Sequence, residues 1–414
     1  MDSLIIIGGG ISGLTLALSL HEAGLPCRIF ESATAFRPLG VGLNLLPHAV
    51  RELAELGLEP ALRRCAVETR EMSYYNRYGQ FIYTEPRGRF AGYDWPQFSI
   101  HRGALHEVLV AAVRERIGPD AIAMGHKCIG VEQDAAGATA HFVDAVSGAP
   151  LGAATGCAML GCDGIHSVVR RHLFPGEGPP AYQGINMWRG VTRWTPFLSG
   201  ATMVQAGWLD VGKMVIYPIG CDIDDDGKQL INWVAELQSP RHVLQDWTLE
   251  GRLEDVLPVF ADWHFPWLDV AAMMAAAEVL LEFPMVDRDP LPHWTAGRIS
   301  LVGDAAHPMY PRGGNGAGQS ILDARALARC CRSETSVMSA LKSYEAERRP
   351  AANRVVLMNR TAPPDTILKV VHERSNGLPF HDIDTIISRD ELAAITDTYK
   401  KVAGFDKAAL SAKR

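Results

Sequence analysis

A glycine-rich turn near residue 10 is the sequence feature that most constrains the fold. The apolar run at residues 4–7 is typical of a buried parallel strand, and residues 11–20 show the 3.6-residue periodicity of a helix. Gly8, Gly10 and Gly13 have the G-x-G-x-x-G spacing at this junction. In such a unit the first glycine permits the tight turn, the second lets backbone approach a pyrophosphate, and the third lets the helix pack on the strand. Because the helix N-terminus also offers N–H groups to an anion, the sequence predicts a dinucleotide site.

A second apolar strand is predicted over residues 27–30, and it ends at Glu31, eighteen residues after Gly13. A carboxylate at this place accepts hydrogen bonds from an adenosine ribose and repels a 2′-phosphate. The strand, the helix and the acid together favour dinucleotide binding over a purely steric role for the glycines. Which dinucleotide binds stays open at this point, since Glu31 alone also allows an NAD-dependent dehydrogenase.

Composition excludes several classes of protein. A chain of 414 residues predicts two or more lobes. The net charge of −7 disfavours nucleic acid and anionic membranes as partners, and no apolar run approaches the roughly 20 residues that span a bilayer. The N-terminus has neither the basic region nor the cleavage site of a signal peptide. The eight cysteines include no C-x-x-C pair, and no histidines cluster at metal spacing, so we predict a cytoplasmic protein without a metal site.

The residue composition and the periodicity of the sequence change twice along the chain. Aromatic-rich short runs broken by glycine and proline predict a mainly antiparallel sheet, which we assign as a substrate-binding domain, over residues 72–96 and 182–291. Apolar runs that alternate with stretches of helical periodicity predict a discontinuous dinucleotide-binding domain over residues 1–71, 97–181 and 292–362. A helical extension is predicted over residues 363–414. The predicted fold class is α/β: a Rossmann-like domain with an inserted, mainly antiparallel sheet domain and C-terminal helices. Ligand sites often lie between two such lobes.

Two further strings narrow the choice of cofactor. GCDGIHSVVRRHL, at residues 161–173, places Asp163 at the end of an apolar strand and Arg170 in the helix that follows. RISLVGDAAHPMYPRGGNGAGQSILDA, at residues 298–324, places Asp304 at the end of another strand, before a glycine-rich loop that leads into a helix. An aspartate at such a strand end can bind sugar-like hydroxyls, and a glycine-rich helix start supports a pyrophosphate or an electron-rich ring edge.

In order and spacing, the glycine turn and these two strings resemble the dinucleotide, DG and GD fingerprints of the single-component (group A) FAD-dependent aromatic hydroxylases, the p-hydroxybenzoate hydroxylase family. The likeness extends from residue 1 to about residue 360. Within that family, the strings RPLGVG, PQFSIHRG, MWRGVT and YEAERRPAAN look most like the phenazine hydroxylases that act on 5-methylphenazine-1-carboxylate.

The resemblance implies an FAD-dependent monooxygenase that is reduced by NADH or NADPH and reacts with O₂ through a flavin C4a-hydroperoxide. Its substrate would be aromatic or N-heteroaromatic, phenazine-like or carboxylated, and hydroxylated with or without loss of a carboxylate. The partners are then a small aromatic substrate, O₂ and NAD(P)H, without nucleic acid or membrane, for a monomer or homodimer. Three alternatives stay open: a same-fold flavin oxygenase of a polyketide-like or terpenoid substrate, an NAD-dependent dehydrogenase, and a non-catalytic nucleotide-binding module.

The resemblance also assigns residues to FAD. It implies that the glycine turn cradles the pyrophosphate, that Glu31 holds the adenosine ribose, that Arg102 contacts the phosphate and ribityl region, and that Asp304 binds the ribityl chain. Asp163 and Arg170 match the DG motif, which in the family is linked to FAD and nicotinamide binding. The implied FAD-binding residues are Gly8, Gly10, Ile11, Ser12, Gly13, Glu31, Ser32, Arg37, Val41, Gly42, Arg102, Asp163, Arg170, Gly303, Asp304, Pro311, Gly314, Asn315, Gly316 and Ala317.

One string departs from the family. Residues 313–318 have the sequence G-G-N-G-A-G, where the family often has G-G-Q-G-x-N. The usual amide side chain near the flavin pyrimidine ring is therefore absent, and backbone N–H groups would have to replace it. His307, also in this region, is expected to support the loop structurally.

Each residue proposed for substrate or catalysis has an alternative. Arg189 is a candidate to bind a substrate carboxylate or support a mobile flavin, or it forms a salt bridge; Tyr217 lines the pocket or packs in the core. His48 is a candidate proton-transfer group, or it is a helix cap or a surface residue. Met203, Met214, Trp233 and Met285 are candidates for an apolar pocket, with core packing as the alternative. The predicted catalytic set is Arg189, Tyr217, Pro311, His48 and Asn44.

Overall fold

The glycine turn lies at the edge of a six-stranded sheet, which we call the nucleotide sheet. The computed structural model describes residues 3–36, 40–240 and 249–411. In spatial order the strands of the nucleotide sheet are Thr295–Ala296, Ile299–Leu301, Met159–Gly161, Leu4–Ile7, Cys27–Phe30 and Ile122–Ala123. All neighbours are parallel except the first pair. Leu4–Ile7 is central and fully buried, which explains why its sequence is continuously apolar.

Helices cover the nucleotide sheet and extend beyond it. Ile11–Glu22 follows the glycine turn and packs against Gly316–Ser333, which follows the GD loop. In chain order the described α-helices are Ile11–Glu22, Pro47–Glu55, Glu59–Cys65, Arg102–Arg116, Val168–Leu173, Leu253–Phe260, Val270–Ala275, Gly316–Ser333, Val337–Thr361, Thr366–Arg374, Arg389–Ala403 and Lys407–Ser411. Short 3₁₀ turns are Gly88–Ala91, Pro119–Ala121, Gly303–Ala305, Pro311–Gly313 and Ile383–Thr385. No helix in the described ranges is long and apolar enough to cross a membrane.

A second, seven-stranded sheet forms the substrate sheet. In spatial order its strands are Val279–Asp287, Ala181–Trp194, Gln229–Gln238, Gly212–Ile223, Thr202–Trp208, Glu71–Tyr75 and Phe81–Pro86. Its neighbours are antiparallel except Thr202–Trp208 and Glu71–Tyr75, which run parallel. Alternate residues point to opposite faces, so one face packs on Phe260 and Trp263 while the other faces a cavity. The predicted fold class is confirmed; the domain boundaries stay predictions.

Residues 98–101 form a strand outside the substrate sheet. Phe98–His101 pairs antiparallel with Gly42–Leu45 and Ala66–Glu68 in a separate three-stranded sheet. Period-two alternation predicts a strand but does not identify its partner. Two smaller sheets complete the fold: His126–Gln133 with Ala138–Asp144 and Pro150–Gly156, and His264–Phe265 with Leu268–Asp269.

The C-terminal helices belong to the core. Ile367, Leu368 and Leu392 are buried together with Met72 and Tyr74 of the substrate sheet. Residues from 366 onwards therefore complete one side of this sheet, and the predicted C-terminal helices are confirmed.

Candidate active site

Each glycine of the first turn has a different spatial constraint. Gly8 has φ +105°, and a Cβ added there would lie 2.5 Å from the Cys162 carbonyl oxygen. A Cβ on Gly13 would lie 2.0 Å from the Gly8 carbonyl oxygen, so the helix packs directly on the turn. Gly10, in contrast, has no atom within 4 Å of such a Cβ. The first helical hydrogen bond joins Leu14 N to Gly10 O at 3.0 Å, and the N–H groups of residues 11–13 precede it. This open, N–H-lined space fits a pyrophosphate.

Glu31 lies beside this turn, as the spacing predicts. Its carboxylate accepts hydrogen bonds from Gly9 N and Ala33 N, both at 2.7 Å, and Ser32 Oγ donates to it at 3.1 Å. These contacts hold the acid at the strand end, next to the glycine backbone. Arg37 lies outside the described residues.

The GD loop lies close to the N-terminal turns of the helices Ile11–Glu22 and Gly316–Ser333. Gly303 has φ +63°, and a Cβ there would lie 2.7 Å from Ser320 Oγ and 3.0 Å from Ser12 Cβ. Asp304 lines the cavity, and its side chain is accessible from it. Desolvation by burial raises the pKa of this carboxyl, and the positive charges of His307 and Arg102 counteract the rise. Burial also lowers the pKa of Arg102, and Asp304 opposes that change.

The DG motif contacts the GD loop through hydrogen bonds. Asp163 accepts hydrogen bonds from Ser167 Oγ at 2.5 Å and Val168 N at 2.7 Å, so it caps the following helix. Arg170, 1% exposed, donates to the carbonyl oxygens of Ala305 at 3.0 Å and Ala306 at 2.9 Å. These contacts point to a positioning role, and direct contact of Asp163 or Arg170 with FAD or nicotinamide stays a prediction.

The departure from the family string has a structural explanation. Asn315 Oδ1 lies 3.0 Å from Nε2 of the buried His48, and a Cβ on Gly318 would lie 2.8 Å from that same oxygen. An amide side chain at residue 318 would collide with this pair. Gln319 N donates to Asn315 O at 2.9 Å, so the N–H groups of residues 316–318 have no intrahelical acceptor. Gly316 and Ala317 line the cavity, where these N–H groups can replace the missing amide.

A cavity of about 360 Å³ brings most of the predicted residues together. The predicted residues that line it are Gly10, Ile11, Ser12, Gly42, Asn44, Arg102, Arg189, Tyr217, Asp304, Pro311, Gly314, Asn315, Gly316 and Ala317. Others lie behind or beside it: Gly8, Gly13, Glu31, Ser32, Val41, His48, Asp163, Arg170 and Gly303. His48 is fully buried and stacks on Phe405 with ring centroids 5.5 Å apart, so its predicted proton-transfer role lacks direct contact with the cavity.

The strand at residues 42–45 is fixed to the substrate sheet. Arg189 Nη2 donates to Gly42 O at 2.6 Å, and Gly42 N donates to Asn232 Oδ1 at 2.7 Å. Tyr217 is buried next to Arg189; burial raises the pKa of its phenol, and Arg189 opposes the rise. The phenol is therefore neutral near pH 7 and available as a hydrogen-bond donor.

The sequence reasoning missed several charged residues of the cavity. Lys213 Nζ lies 3.0 Å from Glu236 and 2.6 Å from the fully buried Asp365, which also pairs with Arg312 at 3.1 Å. The missed signal was in the strands: Lys213 and Glu236 occupy alternate positions among apolar cavity residues such as Val215 and Val234. A second charged cluster consists of Glu85, Arg87 and Lys400.

The four candidates for an apolar pocket divide between the cavity and the core, and core packing is the correct interpretation for three of them. Met203 lines the cavity, but Met214 and Trp233 lie on the opposite face of the substrate sheet, in the core with Phe260. Strand alternation places them there, because residues 213 and 215 face the cavity. Met285 is buried in the core and does not line the cavity.

A C-terminal helix covers the loop that would face the flavin. A Cβ on Gly313 would lie 1.6 Å from Tyr399 Oη, and Tyr399 donates to Asn359 Oδ1 at 2.9 Å. Lys400 and Phe405 also line the cavity. His307, 2.5 Å from Asp323 Oδ2, is buried and supports the GD loop, as expected.

The class of protein follows from three features: the nucleotide sheet, the turns formed by the glycine, DG and GD motifs, and the cavity beside the substrate sheet. Together they are typical of a flavin-dependent hydroxylase. The family profile described as "FAD binding domain" matches residues 1–188 and 285–359, and the chain belongs to this family. It is an FAD-dependent monooxygenase of the aromatic hydroxylase type, and enzymes of this type are reduced by NADH or NADPH.

Similar proteins agree with this class. The chain is 41% identical over 406 residues to a phenazine 1,6-dicarboxylic acid hydroxylase, PhzS, of Lysobacter antibioticus, covering 96% of both chains. It is 29% identical over 364 residues to a 6-hydroxynicotinate 3-monooxygenase of Pseudomonas fluorescens, covering 85% of this chain and 89% of the other. In fold it is similar to Klebsiella pneumoniae HpxO crystallised with FAD and uric acid, with a TM-score of 0.75, 22% identity and coverage of 99% and 97%.

Proposed function

We propose that this enzyme hydroxylates a planar, carboxylated aromatic or N-heteroaromatic substrate in the cavity, at the expense of NAD(P)H and O₂. One observation carries the proposal: a single cavity is bounded by the residues predicted for FAD on one side and by the substrate sheet on the other. Its charged lining, in the described part of the chain, consists of six cations and three acids, namely Arg87, Arg102, Arg189, Lys213, Arg312, Lys400, Glu85, Glu236 and Asp304.

Charge and relatives favour an acidic substrate. The protein as a whole has a net charge of −7, so the excess of cations in the cavity is local; with the buried Asp365 counted beside Lys213 and Arg312, six cations meet four acids, which favours the FAD phosphates and a substrate anion there. The names of two relatives also specify nitrogen heteroaromatic acids, phenazine 1,6-dicarboxylic acid and 6-hydroxynicotinate. We extend this substrate class, without a particular member, to the present chain.

The residues around the cavity have separable tasks. FAD bound there would accept a hydride from NAD(P)H and supply the oxygen-activating chemistry. The N–H groups at residues 11–13 and 316–318 bind its polar groups, and Asp304 accepts hydrogen bonds from hydroxyls. Pro311 and Arg189 line the flavin-facing end, and the neutral Tyr217 phenol donates a hydrogen bond to bound substrate. The apolar residues of the substrate sheet exclude water from the reacting atoms.

The test is a substrate screen on the purified protein. NADH and NADPH oxidation are measured with and without O₂ across phenazine, pyridine, quinoline and benzoic acids, together with the visible spectrum. We expect a yellow protein whose NAD(P)H oxidation is stimulated by one class of acid, with ¹⁸O from ¹⁸O₂ in the product. Released CO₂ reports whether hydroxylation removes the carboxylate. The variant Gly10→Ala, expected to fold without FAD, gives the background rate.

Two outcomes contradict the proposal. Stimulation only by neutral polyketide-like or terpenoid compounds would favour the same-fold alternative. A colourless protein that does not take up FAD would contradict flavin chemistry altogether. The NAD-dependent dehydrogenase and the non-catalytic module are set aside, because the chain belongs to the FAD-binding family and to its monooxygenases.

A further inference from the structure

Two buried polar side chains at one end of the cavity share a weak hydrogen-bond acceptor. Arg87 Nη2 lies 3.1 Å from Met72 Sδ, and Gln205 Nε2 lies 3.8 Å from the same sulfur. Both side chains line the cavity, and the residues are only 7% and 3% exposed. A thioether is a weak hydrogen-bond acceptor. Two strong donors therefore converge on a position where an oxygen would satisfy them better.

The same two side chains also carry unsatisfied atoms. Arg87 Nε and Gln205 Oε1 are buried and have no hydrogen-bond partner within the described ranges. Leaving such groups unpaired costs about 1–3 kcal/mol each. Since both residues face the cavity, an anionic ligand that accepts hydrogen bonds would satisfy Arg87 Nε and replace the sulfur at Gln205 Nε2, whereas Gln205 Oε1 would need a donor such as water.

The charged groups that line this end of the cavity include more cations than acids. Glu85 pairs with Arg87 through one carboxylate oxygen and with Lys400 Nζ at 2.6 Å through the other. Two cations thus share one buried carboxylate. Asp397 also contacts Lys400, but its side chain is 58% exposed and so screened by water. Of the groups that line the cavity here, two are cations and one is an acid; Asp397, which does not line the cavity, pairs with Lys400 and brings the formal charge of the whole cluster to zero.

The cluster lies opposite the flavin-facing end of the cavity. Met203 pairs with Met72 and Met72 pairs with Glu85, while Tyr217 lies on the strand next to that of Met203, one residue beyond the pair of Val204 with Ile216. A planar substrate on this face can contact Arg87 at one end and present a ring carbon near Pro311 and Arg189 at the other.

We propose that Arg87 binds the carboxylate of the aromatic substrate, together with the amide of Gln205, and thereby selects acids and fixes their orientation. The carboxylate oxygens replace Met72 Sδ as acceptors for the two side chains. Glu85 and Lys400 position the guanidinium of Arg87. This assignment rests on the proposed function. A neighbouring cavity of about 410 Å³ is also lined by Glu85, Arg87 and Lys400, which gives an acid a route to the cluster.

The test is a binding titration on the FAD-containing enzyme without NAD(P)H. Phenazine-1-carboxylate and neutral phenazine share one ring system, so their dissociation constants, read from the flavin absorbance, isolate the carboxylate. The variants are Gln205→Met, which keeps the side-chain length, and Glu85→Gln/Arg87→Met, which removes both charges together. Lys400→Met tests positioning, and Lys342→Met, at an exposed lysine that lines neither cavity, is its control.

We expect the double variant to raise the dissociation constant of the acid about tenfold or more, and Gln205→Met to raise it about threefold to tenfold. Lys400→Met is expected to have a smaller effect of the same kind, and Lys342→Met none. Binding of neutral phenazine stays within about threefold, and FAD content is unchanged. Equal weakening of both ligands, or no weakening of the acid, overturns the proposal.

Two further results also overturn it: an acid-selective loss in Arg189→Lys but not in the double variant, and a wild-type enzyme that binds neither ligand. Failure of the proposed function is distinguishable from these results. It appears as missing flavin or missing ¹⁸O in the product, whereas this titration needs bound FAD but no turnover.

Discussion

His48 Nε2 and Asn315 Oδ1 form a buried hydrogen bond of 3.0 Å that joins two helix starts beside the cavity. This pair occupies the space above Gly318, where the related enzymes often have an amide side chain. We therefore expect Gly318→Asn, which restores the family residue, to lower the free energy of unfolding by about 1–3 kcal/mol and to reduce FAD content. Thermal unfolding and the flavin absorbance of the purified variant measure the two effects.

Gly130→Ala is the matched control for this experiment, because a Cβ there has no atom within 4 Å. It should leave both readouts unchanged. A Gly318→Asn protein with wild-type stability and FAD content would show that the His48–Asn315 pair can move aside.

Gly10 and Gly13 belong to one motif, but their substitution should have opposite results. An alanine fits at residue 10, because Gly10 has φ −77° and no atom lies within 4 Å of an added Cβ. The Gly10→Ala apoprotein should therefore be as stable as wild type, while the added methyl group should block FAD binding. Gly13→Ala places a Cβ 2.0 Å from a backbone oxygen and should destabilise the fold by about 1–3 kcal/mol or more. Chemical unfolding of both apoproteins, with FAD titration of each, separates the effects. Equal losses of stability would contradict this division of roles.

Arg170 should affect the flavin through the GD loop. Arg170→Met removes hydrogen bonds to Ala305 O and Ala306 O and leaves Glu177 with Arg288 as its remaining ion-pair partner. We expect a loss of about 2–4 kcal/mol in the free energy of unfolding and weaker FAD binding. Denaturant unfolding and FAD affinity are the measurements, with Arg171→Met, at the exposed neighbour, as the control. Undiminished FAD affinity would argue against the positioning role.

Asp323 should contribute pH-dependent stability. Burial opposes ionisation of its carboxyl, but His307 and Arg348 outweigh burial and lower its pKa. A carboxyl with a depressed folded-state pKa stabilises the protein above its unfolded pKa of about 3.9, and this contribution is lost as the pH falls through the folded-state value.

The measurement compares wild type with Asp323→Asn in denaturant unfolding from pH 7 to pH 3. The difference in unfolding free energy should be constant above about pH 5 and shrink below about pH 4. Asp120→Asn, at an exposed aspartate, is the control and should show little difference at any pH. A difference for Asp323→Asn that stays constant down to pH 3 would contradict the assignment.

The cofactor half of the site could be predicted because its signals are local. Leu4–Ile7, the turn to Gly13 and the acid at Glu31 lie within one strand–helix–strand unit, where spacing along the chain fixes spacing in the structure. The GD and DG strings also end strands of the nucleotide sheet, and parallel strands place their carboxyl ends at one edge.

The substrate half could not be predicted in the same way. Met72 and Gln205 are 133 residues apart and meet only because two distant strands run parallel in one register. A shift of that register by one residue would place the Gln205 side chain on the opposite face of the substrate sheet. Arg87 and Lys400 are separated further still, and their shared partner Glu85 is evident only once the C-terminal helix is in place.

The contact of Tyr399 with Gly313 has a consequence for how the enzyme is assembled. Ribosomes deliver the N-terminal segments first, so the glycine turn, the GD loop and Gly313 are synthesised before the helix Arg389–Ala403 that covers them. The loop at Gly313 is therefore covered on this side only after the last long helix has been made and has docked, so a chain truncated before residue 389 would leave that side of the loop open.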